Sequence, residues 1–207
     1  MVDGYKGYGA VCTNNKLIRL GCWAHARRKL IDAQRQQPKG KAGKADVALG
    51  WIQKLYRIEK LSKDSLVDER LAARQSTAKP IIEKLKQWLD KSLSNSPPKS
   101  TLGEALIYLY NQWPQLIAYL DDGNRPIDNN RAENAIRPFV IGRKNWLFSS
   151  SQSGARASAN LYSLIETAKA NQLNPYDYLK HIFTELPNMQ NADDIERLLP
   201  WVAAKAM

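Results

Sequence analysis

Glu133 lies in "IDNNRAENAIRPFVIGRKNW", residues 127 to 146, as a single glutamate among asparagines and cations. Two kinds of chemistry fit it. Phosphodiester chemistry on nucleic acid commonly uses two Mg²⁺ ions about 3.5–4 Å apart. Mg²⁺ takes hard oxygen ligands, so several carboxylates have to converge. Asp3, just before Gly4, is the obvious distant partner, although Asp-Gly is also an ordinary turn signal. The other reading is local. Asn130 followed three residues later by Glu133 has capping-box spacing, and an acid in a first helical turn suits the helix dipole. Local physics alone does not choose between them.

The surroundings are equally double-edged. Arg131, Arg137, Arg143 and Lys144 form either a solvated basic face or a set of phosphate partners beside a metal site. Trp146 and Phe148, interleaved with them, could stack on an unpaired base; core packing is the expectation. "SSSQSG" ahead of Ala155 offers hydroxyls and N–H groups at a helix start, a phosphate cradle or simply a turn. Cys22 and His25 have zinc-like spacing. A structural zinc site needs four ligands, however, and only Cys12, Cys22, His25 and His181 are of the soft kind, so zinc is not expected. There is no Gly-x-x-x-x-Gly-Lys phosphate loop, which argues against an NTPase.

The elements that must position these residues read as mainly helical. "GYGAVCTNN" predicts a short helix, and "KLIRLGCWAH" a buried strand with Gly21 as a bend or close backbone approach. A helix follows from residue 26 to the basic loop "PKGKAGK". Another spans 45–61, with Val47, Trp51, Leu55, Ile58 and Leu61 at helical spacing. Short and long helices are predicted over 65–75 and 78–93, the second with Ile81, Ile82, Leu85, Trp88 and Leu89 on one face and Pro80 near its start. A helix over 101–120 has a capping box at Thr101 and Glu104 and a kink at Pro114. "IDNNRAENAIR" predicts a short helix ended or bent at Pro138, followed by an irregular connector. Beyond it lie a helix from residue 155 with Leu161, Leu164, Ile165 and Ala168 inward, another from Pro175 to about 186, and a terminal amphipathic turn.

The bulk numbers are consistent with a folded, basic protein. The chain has 207 residues, 43% of them hydrophobic, and a formal net charge of +11. That charge favours nucleic acid or another acidic partner. No apolar run approaches the roughly 18 residues of a membrane span. Two cysteines without disulfide-rich spacing suit a reducing compartment, so a cytoplasmic protein with no membrane partner is expected.

The order of "DGYKGY", "GCWAHARRKL", "ERLAARQSTAKPIIEKLKQWL" and the long block "IDNNRAENAIRPFVIGRKNWLFSSSQSGARASANLYSLIETAKANQLNPYDYL" resembles bacterial insertion-sequence transposases of family sixty-six, over nearly the whole chain. The resemblance implies an Asp-Asp-Glu transposase: mainly α here, the C-terminal part of a ribonuclease-H-like α/β catalytic core interrupted by an all-helical insertion. Residues 1–25 would belong to the core, 26–124 to the insertion, and 125–207 to the core again. It also implies Asp3 as the second catalytic aspartate and Glu133 as the catalytic glutamate, both holding Mg²⁺ or Mn²⁺. His25 resembles a Cys-x-x-His element near the scissile phosphate. Arg27, Arg28, Arg131, Arg137, Arg143, Lys144 and Arg156 are the implied DNA contacts, with transposon ends and target DNA as partners.

The family's first catalytic aspartate lies upstream of "DGYKGY", and Asp121, Asp122 and Asp128 do not match it by motif. A C-terminal fragment, inactive alone, is therefore expected, with full-length transposase or a second copy as a further partner. An exposed apolar face at "KLIRLGCWAH" is expected with it. The alternative is a non-enzymatic basic helical protein that binds DNA or the transposase as a regulator.

Overall fold

Trp23, Ala26, Leu30 and Ala33 recur every three or four residues, and all four are buried along α2 (Trp23–Arg35). Ala45, Ala48, Ile52 and Leu55 form the matching stripe of α3 (Lys44–Leu61). The small alanines on both helices let the backbones approach. The computed structural model describes residues 1, 7–38, 40 and 42–205, and among these every regular element is helical. They divide into two units, Met1–Arg131 and Ala132–Met207.

In the first unit α1 (Tyr8–Asn14) precedes α2 and α3, followed by α4 (Val67–Ala73), α5 (Lys79–Ser94), α6 (Thr101–Asn111) and α7 (Trp113–Ile117). α2 packs on α3 and α6, and α5 closes the bundle against both α3 and α6. Ile82, Leu85 and Leu89 bury the expected face of α5. The Trp23 indole N–H donates to the Leu116 carbonyl (2.8 Å), and its ring meets Trp113 edge-on at 6.2 Å, which seats the start of α2 on α7.

A wide turn, Arg74–Ala78, with π-type hydrogen bonding, joins α4 to α5 and turns Arg74 inward. Its guanidinium is 1% exposed. Nε and Nη2 donate to the two oxygens of Glu59 (2.9 and 2.5 Å). Nη1 donates to the carbonyls of Tyr119 (2.9 Å) and Asp122 (2.5 Å). The guanidinium carbon also sits over the Tyr119 ring, 5.0 Å from its centroid.

Several expectations are corrected here. "KLIRLGCWAH" is not a strand. Residues 17–22 run without a ladder partner and α2 starts at Trp23. A strand needs a neighbour for its backbone groups, whereas this segment docks by single bonds, Gly21 N–H to the Gln115 carbonyl (2.8 Å) and Trp23 N–H to the Ile127 carbonyl (3.2 Å). Gly21 does make the close backbone approach its lack of a side chain suggests: a Cβ there would lie 3.0 Å from the Leu116 nitrogen. Leu17 and Ile18 are exposed.

On α3 the alanine-rich stripe is the buried one, leaving Val47 and Leu61 in solvent; volume matters less there than closeness of approach. The region 101–120 is two helices, because Pro114 begins α7 instead of kinking one rod. The cap of α6 is Ser100, whose Oγ accepts the Gly103 N–H (3.0 Å), one residue before the Thr101 expected.

The second unit holds most of α8 (Asn130–Trp146), then α9 (Gln152–Ala170), α10 (Pro175–Glu185), α11 (Ala192–Arg197) and α12 (Pro200–Ala203). Ala168, Tyr178, Ile182 and Ala203 form its core, with Leu164 and Leu173 packed against them. The Tyr178 hydroxyl is satisfied by the Leu198 carbonyl (2.8 Å). Leu161, expected inward, is exposed. The largest correction is α8, which runs straight through Pro138 and absorbs the expected connector. Phe139 and Trp146 lie two turns apart on one side of it, and both meet Tyr162 of α9 at 5.2 and 5.9 Å between ring centroids. Gly142 lies between them, where a Cβ would fall 2.5 Å from the Tyr162 hydroxyl. Neither Phe148 nor Trp146 packs into the core as expected: Phe148 is exposed, and Trp146 makes ring contacts with Phe139 and Tyr162 while staying partly exposed.

Replacing Arg74 by Ala strands the Glu59 carboxylate and two carbonyls inside the bundle. The expected loss is about 3 kcal/mol or more in urea-denaturation stability. A loss below about 1 kcal/mol would show that water, not Arg74, can satisfy Glu59.

Candidate nucleic-acid interface

The stripes of α2 and α3 next to their buried stripes form the walls of a groove of about 790 Å³. From α2 come Ala24, Arg27, Arg28, Ile31 and Gln34, and from α3 come Leu49, Gln53 and Tyr56, with Asn130 at one end. This follows from helical spacing: residues one position after a buried 3-4 stripe form a second stripe beside it. The lining mixes the apolar Ala24, Ile31 and Leu49 with guanidinium and carboxamide groups, and no carboxylate is among it. Gln34 donates to Asp46 Oδ1 (2.5 Å), which fixes the far end.

The near end is fixed by Asp128. Its Oδ2 accepts the Tyr56 hydroxyl (2.8 Å) and the Asn130 side-chain amide (2.9 Å), while Oδ1 accepts the Asn130 backbone N–H (3.0 Å). Asn130 is therefore the first helical residue of α8, not its cap, and Asp128 supplies the carboxylate for the orphan N–H. The expected Asn130 capping role is corrected, for a physical reason: Tyr56, distant in sequence, holds Asp128 where the cap has to be. Burial pushes the Tyr56 phenol well above its ordinary pKa of 10.0. The hydrogen bond to Asp128 and that group's negative charge add to the shift, and the Arg27 charge opposes it.

The expected site residues stand as follows. Asp3 lies outside the described residues. His25 is half-buried near the start of α2, and Arg27 and Arg28 are exposed on the groove wall. Cys22 is buried and its Sγ accepts the Asn129 N–H (3.4 Å). Glu133 is half-buried in the first turn of α8, and Arg131, Arg137, Arg143 and Lys144 are all exposed on the same helix. Arg156 is exposed on α9, whose start is capped by Ser151 accepting the Gly154 N–H (3.1 Å), so that hydroxyl of "SSSQSG" is already used. Among the described residues, no three His, Cys, Asp or Glu side chains are grouped to share a metal ion. Among them, too, no helix is long and apolar enough to cross a membrane.

The sequence reading missed Tyr56, Gln53 and Asp128. The stripe Leu49–Gln53–Tyr56 was visible as a second helical face. The partnership of Tyr56 with Asp128 had no sequence signal.

Residues 1–157 match the family described as Transposase IS66 family, and residues 163–201 match the IS66 C-terminal element. The chain is 34% identical to the uncharacterized protein y4qI of Sinorhizobium fredii (strain NBRC 101917 / NGR234), an alignment covering 97% of this chain and 38% of that protein. It is 32% identical to y4hP of the same organism, over 87% of this chain and 34% of that protein. For y4jD, also from that organism, identity is 30%, over 97% and 40%. The chain thus spans two-fifths or less of the length of these curated relatives. No solved structure matches it.

The raised phenols set an alkaline limit on stability. Tyr119 is also raised, by burial and then by the Glu59 charge. In both cases folding favours the protonated phenol. The stabilisation is complete below the ordinary pKa of 10.0 and is lost as pH climbs above it. The expected slope is about 1.4 kcal/mol per pH unit for each tyrosine. Tyr56→Phe should flatten the fall in denaturation midpoint between about pH 9 and 11; an unchanged slope would mean that Tyr56 titrates normally.

Proposed function

This chain belongs to the IS66 transposase family, and from that premise we propose that it acts on DNA in transposition. In this reading Asp3 and Glu133 are two carboxylates of an Asp-Asp-Glu centre in a ribonuclease-H-like core, with residues 26–124 as its helical insertion. Arg131, Arg137, Arg143, Lys144 and Arg156 hold the DNA backbone, and His25 lies near the scissile phosphate. One observation carries the reading. Glu133 is the only acid on α8, and every other charged residue of that 17-residue helix is an arginine or lysine, all exposed. A helix whose remaining charges are all exposed cations suits a polyanionic substrate.

The fit to the family's divalent metal, Mg²⁺ or Mn²⁺, is incomplete. Among the described residues Glu133 is not grouped with further carboxylates, and Asp3 lies outside them. Hard divalent ions need several oxygen ligands, which Glu133 by itself does not supply. Of the other acids considered for the centre, Asp128 serves Tyr56 and Asn130. Asp122 faces the Arg125 side chain at 3.5 Å and takes the Asn124 N–H (2.8 Å). Asp121 lies 4.0 Å from Arg125. With these acids engaged, the 207-residue chain is proposed not to cleave or join DNA alone.

A second reading, a DNA-binding regulator without catalysis, is favoured by the acid-free groove of the first unit. It predicts salt-sensitive binding indifferent to Glu133→Gln.

Grafted in place of the matching segment of a full-length relative, this chain should support strand cleavage at transposon ends. Glu133→Gln should lower that activity by more than the roughly 10–100-fold typical of changes around a metal site. An active chimera indifferent to Glu133→Gln would sink the catalytic reading. Metal-dependent nicking by the isolated chain that disappears in Glu133→Gln would sink the proposal that it is inactive alone.

A further inference from the structure

We infer that the α2/α3 groove is a binding track for the sugar-phosphate backbone of a DNA strand, separate from any chemistry at Glu133. The inference rests on the reading that DNA is the partner, and deepens it by assigning a site.

Charge is the first support. Between residues 16 and 60 the sequence has twelve lysines and arginines against three acids, Asp32, Asp46 and Glu59. Glu59 is taken up by Arg74, and Asp46 by Gln34, Gln37 and the Gly43 N–H, so neither carboxylate opposes an anion in the groove. Arg27 and Arg28 stand exposed on its wall, and among the described residues neither makes an ion pair.

Shape is the second. From Ala24 to Gln34 the α2 wall is about 15 Å long at 1.5 Å per residue. Phosphates rise only about 3.4 Å per step along the duplex axis but lie about twice that far apart along a strand's own backbone, so roughly two or three fit along the wall. The donors are of the right kind: guanidinium groups for phosphate oxygens, and the exposed Gln53 carboxamide opposite them. The apolar Ile31 and Leu49 in the lining suit sugar faces and do not read base edges, so binding without sequence preference is expected.

Rigidity is the third. The Tyr56–Asp128–Asn130 bonds hold one end and Gln34–Asp46 the other. The groove needs little ordering when a strand arrives.

The test is fluorescence anisotropy of the full 207-residue chain with labelled duplex and single-stranded DNA, in EDTA, across a KCl series. Arg27→Ala/Arg28→Ala should weaken binding at least tenfold at low salt. It should also reduce the log–log salt slope by about 1.8 for duplex or about 1.4 for single strands. Arg27→Lys/Arg28→Lys should keep most of the slope, because charge is retained. If the alanine variant melts early, Gln53→Glu, which sets a carboxylate in the groove without removing a core contact, should weaken binding instead.

Unchanged affinity and slope in the alanine variant, or in Gln53→Glu where that replaces it, would overturn the inference. So would a variant that keeps DNA binding but loses a labelled polyglutamate probe, since the groove would then recognise an acidic protein. Glu133→Gln should bind like the wild type in EDTA. Cleavage by the chimera judges the catalytic reading, so the two can fail separately.

Discussion

The first unit depends on one buried cation. Arg74 is almost fully enclosed, yet all three guanidinium nitrogens donate, to the Glu59 carboxylate and to the Tyr119 and Asp122 carbonyls. It joins three stretches distant in sequence: α3 through Glu59, the turn between α4 and α5 in which it sits, and the carbonyls of Tyr119 and Asp122 at the end of the α7 region. Burying an ion pair is not in itself a gain, because both charges lose water. What it provides is position. Four directed hydrogen bonds at one guanidinium define where the turn, α3 and the 118–122 segment meet, a precision that apolar contacts among alanines and leucines do not supply. The wide turn at Arg74–Ala78 is the local consequence, since a regular helix would carry Arg74 to a different angle.

From that frame the groove follows. With α3 fixed by Glu59, its stripe Leu49–Gln53–Tyr56 faces the stripe of α2 that begins at Ala24. Tyr56 then reaches Asp128, and Asp128 sets the first turn of α8. One chain of contacts thus runs from a buried ion pair, through a groove wall, to Asn130 at the end of the first unit. Each link has its own cause: charge burial, helical spacing, a phenol–carboxylate hydrogen bond and an orphan N–H at a helix start.

α8 shows how a tertiary contact overrides a local rule. A proline inside a helix costs about 3 kcal/mol through a lost hydrogen bond and a clash with the preceding turn. The helix nevertheless continues to Trp146, because Phe139 and Trp146 must share a face to meet Tyr162, with Gly142 clearing the space between them. The result is a long, exposed, cationic helix where sequence reasoning expected a short helix and a loop.

The sequence by itself determined the helical character, most of the helix positions, the basic surface, the close approach at Gly21 and the family. Each of these lives in spacing, composition or a contiguous motif. The 3-4 stripe of α5 was legible because apolar burial acts on residues a turn apart. The tertiary structure decided the rest. It denied the expected strand its ladder, and chose the alanines of α3 over its larger Val47. It put Asn130 inside the first turn of α8 with its N–H on Asp128, and turned the second faces of α2 and α3 into one groove. These features depend on pairs such as Tyr56 with Asp128 and Arg74 with Glu59, which meet only after the helices have packed, and no local pattern encodes such a meeting.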